Sequence, residues 1–477
     1  MTTIWKEDTL REWFRNTPDV TIQHHSLAGG EPILLLYCSH LCDGQQLYES
    51  VIPALHSSTY TPIPFIPALH LEPFLEEITA AGLSRAVFSG KVVLFWGAGA
   101  SAFTLNLSNA PKRSPEESSL DISIRGPRDG FVEDFDTNLA LIRKRLRTES
   151  LVLEPFTIGT RSATRVGLLY LDDVTNKDTI EVVRSRIQRI HVDTLVSTEQ
   201  LEEYIKEQGF TFFPTVLYTG RPDFAVDCLS RGRFALIVEG MPAVMIAPAT
   251  LFLILKSSED NFFPFWIAGV GRAIRLMGLL ISMLLPGFWI ALTSFNQDQL
   301  PFPLLATITQ TRIGLPLPAT IEFFMILFIL ELFREGGNRL PRAIGQTLAV
   351  VGGIVIGDAA VRAALISPSL IVIGGLSSIA TATISNMALS GGATYLRFLI
   401  FFASAILGMY GFILACIYTI LHLVTIESFG LPYMSPASPF SKNDLMKGLL
   451  SKSWREIDKR PGSLHTQDNT RKGHDKL

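Results

Sequence analysis

Charged residues interrupt an apolar stretch in the C-terminal third of the chain. Asp358 and Arg362 lie in the run from 344 to 366, beside the small residues Gly353 and Gly357. Ionisable groups inside a bilayer cost roughly 2.5 to 3.5 kcal/mol each, and small residues let helices pack closely. One interpretation is therefore an ion path with these lining candidates: Gly353, Gly357, Asp358, Val361 and Arg362. In the other, Asp358 and Arg362 neutralise each other across one helix turn and only hold the helices together.

Two acids, Glu322 and Glu331, lie in a second apolar stretch, from 318 to 333. They are nine residues apart, and at about 100° per residue this spacing puts them on opposite faces of a helix. They cannot both line one path. Glu322 follows Pro318 by one turn, near the positive end of the helix dipole, and Glu331 precedes Arg334 near the other end. We expect both membrane acids to anchor helix ends.

A third group of charges lies in the N-terminal half, within and after the motif RGPRDGF that starts at residue 125, and in the motif TGRPD that starts at residue 219. These side chains could form an interdomain ion-pair network, or they could belong to a solvated basic helix face. The residues concerned are Arg125, Arg128, Glu133, Arg143, Arg145, Arg221 and Asp223.

Neither catalytic nor metal-binding chemistry has a recognisable pattern here. The run WGAGAS at 96 to 101 lacks the Lys and Ser/Thr of a phosphate-binding loop, so we expect a tight turn between strands. Four scattered cysteines form no zinc set, and no nucleophile, base and orienting group occur together. We expect no enzyme activity, no metal and no cofactor. A net charge of -3 without a dominant basic face also argues against nucleic-acid binding.

The N-terminal half has the alternation of strands and helices that is typical of α/β units. Buried strands are predicted at 33 to 38 and 92 to 96, and an amphipathic helix at 71 to 83. A hairpin turn is predicted at 240 to 242. These patterns predict a first α/β subdomain over 1–108, a linker over 109–121 and a second α/β subdomain over 122–270.

The C-terminal part is predicted to be an all-α transmembrane helical bundle over 271–428. Although the chain is 48% hydrophobic and 18% charged overall, the apolar excess falls after residue 270. A charge-free run begins at Leu276 and is long enough to cross a bilayer core of roughly 30 Å. Further spans are predicted at 318 to 333, 344 to 366 and 396 to 426. A weaker segment, 370 to 387, is predicted not to cross fully.

The distribution of Lys and Arg predicts the orientation. Basic residues precede the first span, follow the second and fill the tail over 429–477, which we predict to be partly disordered. The first sixteen residues lack the apolar core of a signal peptide. We therefore expect a multi-pass protein of the cell membrane whose soluble domain and basic tail face the cytoplasm.

Several ordered motifs resemble those of one family. They are RGPRDGFVEDFDTNLALIRKRL at 125 to 146, TGRPD at 219 to 223, and the membrane signature RIGLPLPATIEFFMILFILELFREGGNRLPRAIG at 312 to 345, which VVGGIVIGDAAVRAALIS continues. On these motifs the chain is similar to the GerA family, the A subunits of spore germination receptors, including the SpoVAF-like paralogues. The resemblance covers about residues 120 to 430.

The resemblance implies a place and partners. It implies the inner membrane of the endospore, a permease-like B subunit, a lipoprotein C subunit, and a homo-oligomer of A subunits that releases ions when nutrients are sensed. It also favours a subunit contact at Arg125, Arg128, Glu133, Arg143, Arg221 and Asp223. A secondary transporter is the alternative, although the internal repeats expected of one are missing. A non-conducting scaffold subunit is the other alternative.

Overall fold

The structure of the protein is a computed structural model that carries side chains. It describes residues 7–27, 30–57, 69, 71–74, 78–96, 101–108, 118, 121, 123–207, 209–339, 357–449, 453 and 456–471. The predicted linker at 109–121 and the first part of the predicted span at 344 to 366 lie almost entirely outside these residues.

The first unit is an antiparallel sheet with helices packed on it. Its strands are β1 (Val20–Ser26), β2 (Pro32–Cys38), β3 (Glu72–Pro73), β4 (Lys91–Trp96) and β5 (Ser101–Asn106), in the spatial order β1-β2-β4-β5-β3. Its helices are α1 (Glu7–Trp13), α2 (Gly44–Gln46), α3 (Ile52–Ser57) and α4 (Ala80–Val87), with a π-helical turn at Leu47–Val51. The apolar runs in β2 and β4 are buried between two hydrophobic clusters, one on each face of the sheet.

Two predictions for this unit have different outcomes. Trp96 pairs with Ser101 across antiparallel strands, and residues 97–100, where the tight turn is predicted, lie outside the described residues. The helix predicted at 71 to 83 is wrong, because Glu72 and Pro73 pair with β5 instead. The helix begins only at Ala80, where the Thr79 side chain accepts a hydrogen bond from the Gly82 backbone nitrogen at 3.2 Å.

The second unit repeats this architecture. Its strands are β6 (Leu151–Ile158), β7 (Thr164–Leu171), β8 (Leu217–Thr219), β9 (Phe234–Val238) and β10 (Val244–Ala247), in the order β6-β7-β9-β10-β8. Its helices are α5 (Phe135–Arg143), α6 (Lys177–Gln188), α7 (Thr198–Ile205), α8 (Pro222–Ser230) and α9 (Leu251–Ile254). Val244 pairs with Ile237, which confirms the predicted hairpin. Both units mix helices and strands as predicted, and every strand pairing in the described ranges is antiparallel.

The C-terminal part is helical. Its helices are α10 (Phe265–Ser294), α11 (Phe302–Arg312), α12 (Ala319–Arg339), α13 (Pro368–Ala382), α14 (Met387–Thr425) and α15 (Lys442–Leu449). By length and composition, α10 and α14 are apolar enough and long enough to cross a membrane. Helix α10 rises about 45 Å, which exceeds the roughly 30 Å of a bilayer core.

Helix α14 is folded back on itself at Gly408. This glycine has φ 58° and ψ -140°, a conformation that breaks the helix. Phe212 of the second unit approaches Gly392 near the start of α14, and its ring lies 5.6 Å from that of His422 near the end. In a straight helix those two positions would be about 45 Å apart. The single span predicted at 396 to 426 is therefore wrong, and the segment forms two antiparallel arms.

The chain returns to the second unit after α14. Strands β11 (Glu427–Ser428) and β12 (Leu431–Pro432) form a small hairpin, and the Ser428 hydroxyl donates to the Thr215 carbonyl oxygen at 2.7 Å. Part of the tail packs there too. The Gln467 side chain donates to the Thr175 carbonyl oxygen at 2.8 Å, and Arg460 Nε donates to that of Ser230 at 3.0 Å.

Candidate functional site

A short turn with two adjacent acids joins the second unit to the first long apolar helix. The 3₁₀ turn Ser258–Asn261 is held by a capping box. In this box the Ser257 side chain accepts a hydrogen bond from the backbone of the turn, and the Asp260 side chain accepts one from the Ser257 backbone nitrogen. Within this fixed turn, Glu259 and Asp260 contact opposite sides of the junction. We refer to these two residues as the junction acids.

Glu259 binds the second unit. It accepts a hydrogen bond from Arg221 Nη1 and another from the Arg125 backbone nitrogen at 3.0 Å. Arg221 is only 1% exposed, and its Nε and Nη2 donate to the two carboxylate oxygens of Asp223 at 3.1 and 2.8 Å. The Phe262 ring lies 5.4 Å from the same guanidinium. This arginine is therefore clamped between two carboxylates and a ring.

Asp260 binds the apolar helix. Arg272 Nε donates to it at 2.9 Å, and Arg275 Nη2 donates to its second oxygen at 2.7 Å. Arg275 Nη1 also donates to the Leu255 carbonyl oxygen at 2.7 Å. Both arginines belong to the first three turns of α10. A displacement of the turn is consequently transmitted to α10 through charge-assisted hydrogen bonds.

Both junction acids remain ionised at neutral pH. Burial raises the pKa of Asp260, but the hydrogen bonds from Arg275 and Arg272 outweigh it and lower this pKa below its ordinary value. Burial also raises the pKa of Glu259, but the hydrogen bond from Arg221 outweighs it and lowers this pKa below its ordinary value. A buried charge without its partner is costly. The contact of Glu259 with Arg221 and the contacts of Asp260 with Arg272 and Arg275 are therefore both needed for a stable junction.

The soluble residues singled out from sequence are divided between this junction and another buried contact. Arg221 and Asp223 lie together at the junction. Arg143 is fully buried, where its Nε and Nη2 each donate to Asp19 at 3.1 Å and its Nη1 donates to the Leu151 carbonyl oxygen at 2.7 Å. The prediction that Arg143 and Arg221 contact another subunit is corrected, because both side chains are enclosed within this chain. Arg143 forms an ion pair with the first unit, and Arg221 forms ion pairs with Asp223 and Glu259 within the second unit and its terminal turn.

The remaining contact candidates lie on the surface. Arg125, Arg128 and Glu133 are exposed. The Arg125 guanidinium lies 5.1 Å from the centre of the Phe263 ring. Arg145 binds Asp129 at 2.5 Å, which fixes the loop that presents Arg128. The subunit contact at these three exposed residues stays a prediction.

The two membrane acids have different surroundings. Glu322 is buried in α12, where it accepts a hydrogen bond from the Ser367 backbone nitrogen just before α13. Glu331 binds Arg334 in its own helix and Arg397 of α14 at 3.0 Å. Arg397 is buried and was missed by the sequence analysis, although a single arginine within an apolar run was a signal of a buried partner.

The pore-lining candidates are only partly described. Gly353 lies outside the described residues. Asp358 and Arg362 form an ion pair at 2.7 Å, with side chains 58% and 79% exposed, and Gly357 has open space around the position of a Cβ. Val361 is half-buried. The pair predicted by the neutralisation alternative is therefore present, and it lies on the surface of the single chain.

No group of three or more His, Cys, Asp or Glu side chains that could hold a metal ion occurs among the described residues. The four cysteines are all free thiols, and burial raises the pKa of Cys228.

Comparisons with known proteins agree on one family. The family model described as Bacillus/Clostridium GerA spore germination protein matches residues 8–463. The chain therefore belongs to the GerA family, as the motifs predicted.

Three relatives illustrate how much of the chain this similarity covers. Spore germination protein XA of Bacillus anthracis is 38% identical over 98% of this chain and 96% of its own length. Spore germination protein KA of Bacillus subtilis (strain 168) is 34% identical over 93% of this chain and 82% of its own. The uncharacterized membrane protein YfkQ of the same organism is 34% identical over 83% of this chain and 77% of its own.

Similarity to a solved structure is also found. The N-terminal domain of the A subunit of the Bacillus megaterium spore germinant receptor GerK3 is 23% identical, with a TM-score of 0.39, over 52% of this chain and 96% of that domain.

Proposed function

We propose that this chain is the A-type subunit of a nutrient-responsive spore germination receptor, which oligomerises to form or gate an ion-conducting membrane complex. The role is not enzymatic. The family and its spore germination relatives support the first part. The observation that carries the second part is the junction, where adjacent acids bind Arg221 on one side and Arg272 and Arg275 on the other.

The junction supports gating because it is a rigid connection. Arg221, Glu259 and Asp260 are all buried, so a movement of the second unit cannot be absorbed by solvent-exposed side chains. Breaking either contact would leave an unpaired buried charge, at a cost of about 3 to 5 kcal/mol. A nutrient signal that moves the second unit therefore moves the start of α10 with it.

An apolar outer surface supports a membrane location. Helix α14 exposes large apolar side chains to solvent, among them Ile406 at 74%, Tyr410 and Ile420. An apolar surface of this kind is stable only in contact with lipid or with other subunits. The proposed location is the inner membrane of the endospore, with several crossings and with the soluble units facing the cytoplasm. The proposed partners are a permease-like B subunit, a lipoprotein C subunit and further A subunits.

The ion path requires several copies. The segment with Gly357, Asp358, Val361 and Arg362 lies on the surface of the single chain, so it faces a path only where neighbouring subunits meet around a symmetry axis. There, identical side chains form rings. A ring of Asp358 favours cations, and a ring of Val361 closes the path by excluding water.

Substitution of Val361 tests the path. We expect Val361→Ser to raise the basal potassium release from unstimulated spores or reconstituted vesicles several-fold, because a polar ring no longer excludes water. The matched control is Val372→Ser on α13, an exposed valine of the helical part, for which we expect no leak.

The opposite result separates the alternatives. In a helix that only packs, Val361→Ser would cost about 1 kcal/mol of stability and leave no leak. Unchanged basal release after this and several further polar replacements over 357–365 would reject the ion path in favour of a scaffold subunit.

A further inference from the structure

A basic cavity lies where the second unit, the start of α10 and the tail meet. Its volume is about 130 Å³, well below the roughly 300 to 1,000 Å³ of pockets for drug-sized ligands. Asp260 and Phe265 line it from the junction, and Pro461 and Ser463 line it from the tail. The cavity is thus enclosed by three separate parts of the chain and has room for a small group only.

The lining carries an excess of positive charge. Two acids line the cavity, Asp260 and Asp444, and Asp227 lies behind the wall, where it binds Lys256 at 2.6 Å and Arg231 at 3.0 Å. Against these three acids stand six cations, which leaves an excess of three positive charges. The cations are Arg231, Arg233, Lys256, Arg272, Lys459 and Arg471.

Among the buried cations of this lining, Arg233 has the fewest partners in the described part of the chain. It is only 6% exposed, and its one hydrogen bond among the described residues runs from Nε to the Pro248 carbonyl oxygen at 3.1 Å. Its two terminal nitrogens therefore have no hydrogen-bond partner in the described part of the chain, and no carboxylate there pairs with it. Burying an arginine in this way is costly unless an anion satisfies the free face of its guanidinium.

The neighbouring lysine reflects the same excess. Burial, together with the nearby charge of Arg231, lowers the pKa of Lys256 to about 8 despite its contact with Asp227. An added anion would oppose this repulsion and raise the pKa of Lys256. The charge balance of the cavity therefore favours a bound anion over water.

The position of the cavity indicates which anions reach it. Phe265 and Arg272 belong to the first two turns of α10, before the charge-free run that starts at Leu276. Trp266 beside them is 62% exposed, as expected of an aromatic residue at a membrane interface. In the membrane orientation of the proposed function, on which this step rests, the cavity lies at the depth of lipid head groups on the side of the soluble units.

We infer that this cavity binds a phosphate group, with Arg233 and Lys459 as its ligands from the second unit and the tail. Planar guanidinium groups bind phosphate oxygens in pairs, and the negative charge of a phosphate group offsets part of the excess positive charge. Because the site joins the second unit, the tail and α10, a bound phosphate group locks the junction. Free phosphate and a phospholipid head group share this chemistry.

The test uses the full chain purified in a neutral detergent. Thermal unfolding is measured with increasing sodium phosphate and, at matched ionic strength, with sodium chloride. A second arm compares bilayer discs of phosphatidylglycerol mixed with digalactosyldiacylglycerol, a neutral lipid without phosphate, against discs of digalactosyldiacylglycerol alone. We expect saturable stabilisation by the phosphate group, and an apparent affinity at least tenfold weaker in Arg233→Gln.

Two further variants make the test decisive. Lys459→Gln changes an exposed side chain, so it should weaken binding without impairing folding even where Arg233→Gln does. Arg189→Gln removes an exposed arginine of the second unit outside the cavity and should leave binding unchanged.

The outcomes are distinct. Stabilisation by sodium phosphate in detergent identifies free phosphate, and stabilisation by phosphatidylglycerol alone identifies the lipid head group. The assignment would be overturned if neither sodium phosphate, relative to sodium chloride, nor phosphatidylglycerol raised the unfolding temperature. It would also be overturned if Arg233→Gln and Lys459→Gln left the stabilisation intact. Neither result depends on ion conduction. The phosphate site and the proposed function can therefore be rejected independently of each other.

Discussion

Buried charges mark the boundaries between parts of this molecule. Asp19 and Arg143 join the first unit to the second, the junction acids join the second unit to α10, and Glu331 with Arg397 joins α12 to α14. A buried ion pair adds little net stability over an apolar contact, but removing one partner is costly. Such pairs therefore fix how the parts are placed against each other.

The contact between the first two units provides a prediction at the residue scale. Replacing Arg143 with methionine leaves Asp19 charged and enclosed, so we expect Arg143→Met to lower the free energy of unfolding by about 3 to 5 kcal/mol. The exposed Arg189→Met should change it by less than about 0.5 kcal/mol. Thermal unfolding of the purified chain measures both, and the double variant with Asp19→Asn should recover part of the loss. Equal effects of Arg143→Met and Arg189→Met would contradict this role.

Sequence alone predicted some of these residues but not their partners. Arg221 and Asp223 are two positions apart in the motif TGRPD, so the sequence already indicated that they lie close together. Arg143 and Asp19 are separated by 124 positions, and no spacing rule connects residues so distant in sequence. The junction acids were missed for a related reason, because two adjacent acids in a polar turn are typical of an ordinary solvated loop.

At the element scale, predictions were correct where burial alone decides the structure. The strands β2 and β4 are largely apolar runs, and such runs indicate buried strands. The helix predicted at 71 to 83 was wrong because strand pairing of Glu72 and Pro73 overrides a helical period. The span predicted at 396 to 426 was wrong because apolar periodicity does not show the backbone conformation of Gly408.

The fold in α14 gives a prediction that compares two glycines. At Gly408, φ is 58°, and a Cβ would lie 2.8 Å from the Cβ of Phe295. We expect Gly408→Ala to destabilise the chain by about 1 to 3 kcal/mol, because an L side chain is strained in this conformation. Gly375 in α13 has open space around it, so Gly375→Ala should stabilise the chain by up to about 1 kcal/mol. Thermal unfolding in detergent distinguishes the two, and similar shifts for both would argue against a sharp fold at Gly408.

On the scale of the whole molecule, both ends of the helical part return to the same unit. Helix α10 leaves the second unit through the junction, and Ser428 after α14 bonds Thr215 of that unit. The tail reaches it as well, where the Gln467 backbone nitrogen donates to the Val174 carbonyl oxygen at 3.0 Å. Since the second unit lies on one side of the membrane in the proposed orientation, the chain crosses an even number of times. The distribution of basic residues predicted the same orientation from sequence, but it did not predict that α14 forms two arms.

This arrangement makes the final prediction one of sidedness. Three exposed positions are changed one at a time to cysteine in a background without the four natural cysteines: Val196 in the second unit, Glu456 in the tail and Gln299 after the far end of α10. In intact cells, an impermeant thiol reagent should label Gln299→Cys and should leave Val196→Cys and Glu456→Cys unlabelled until the membrane is opened. The reason is that α10 separates Gln299 from the second unit by about 45 Å of helix, whereas the tail is hydrogen-bonded to that unit. Labelling of Val196→Cys and Glu456→Cys together in intact cells would reverse the orientation but keep the even number of crossings. Labelling of only one of the two would contradict the contact between the tail and the second unit.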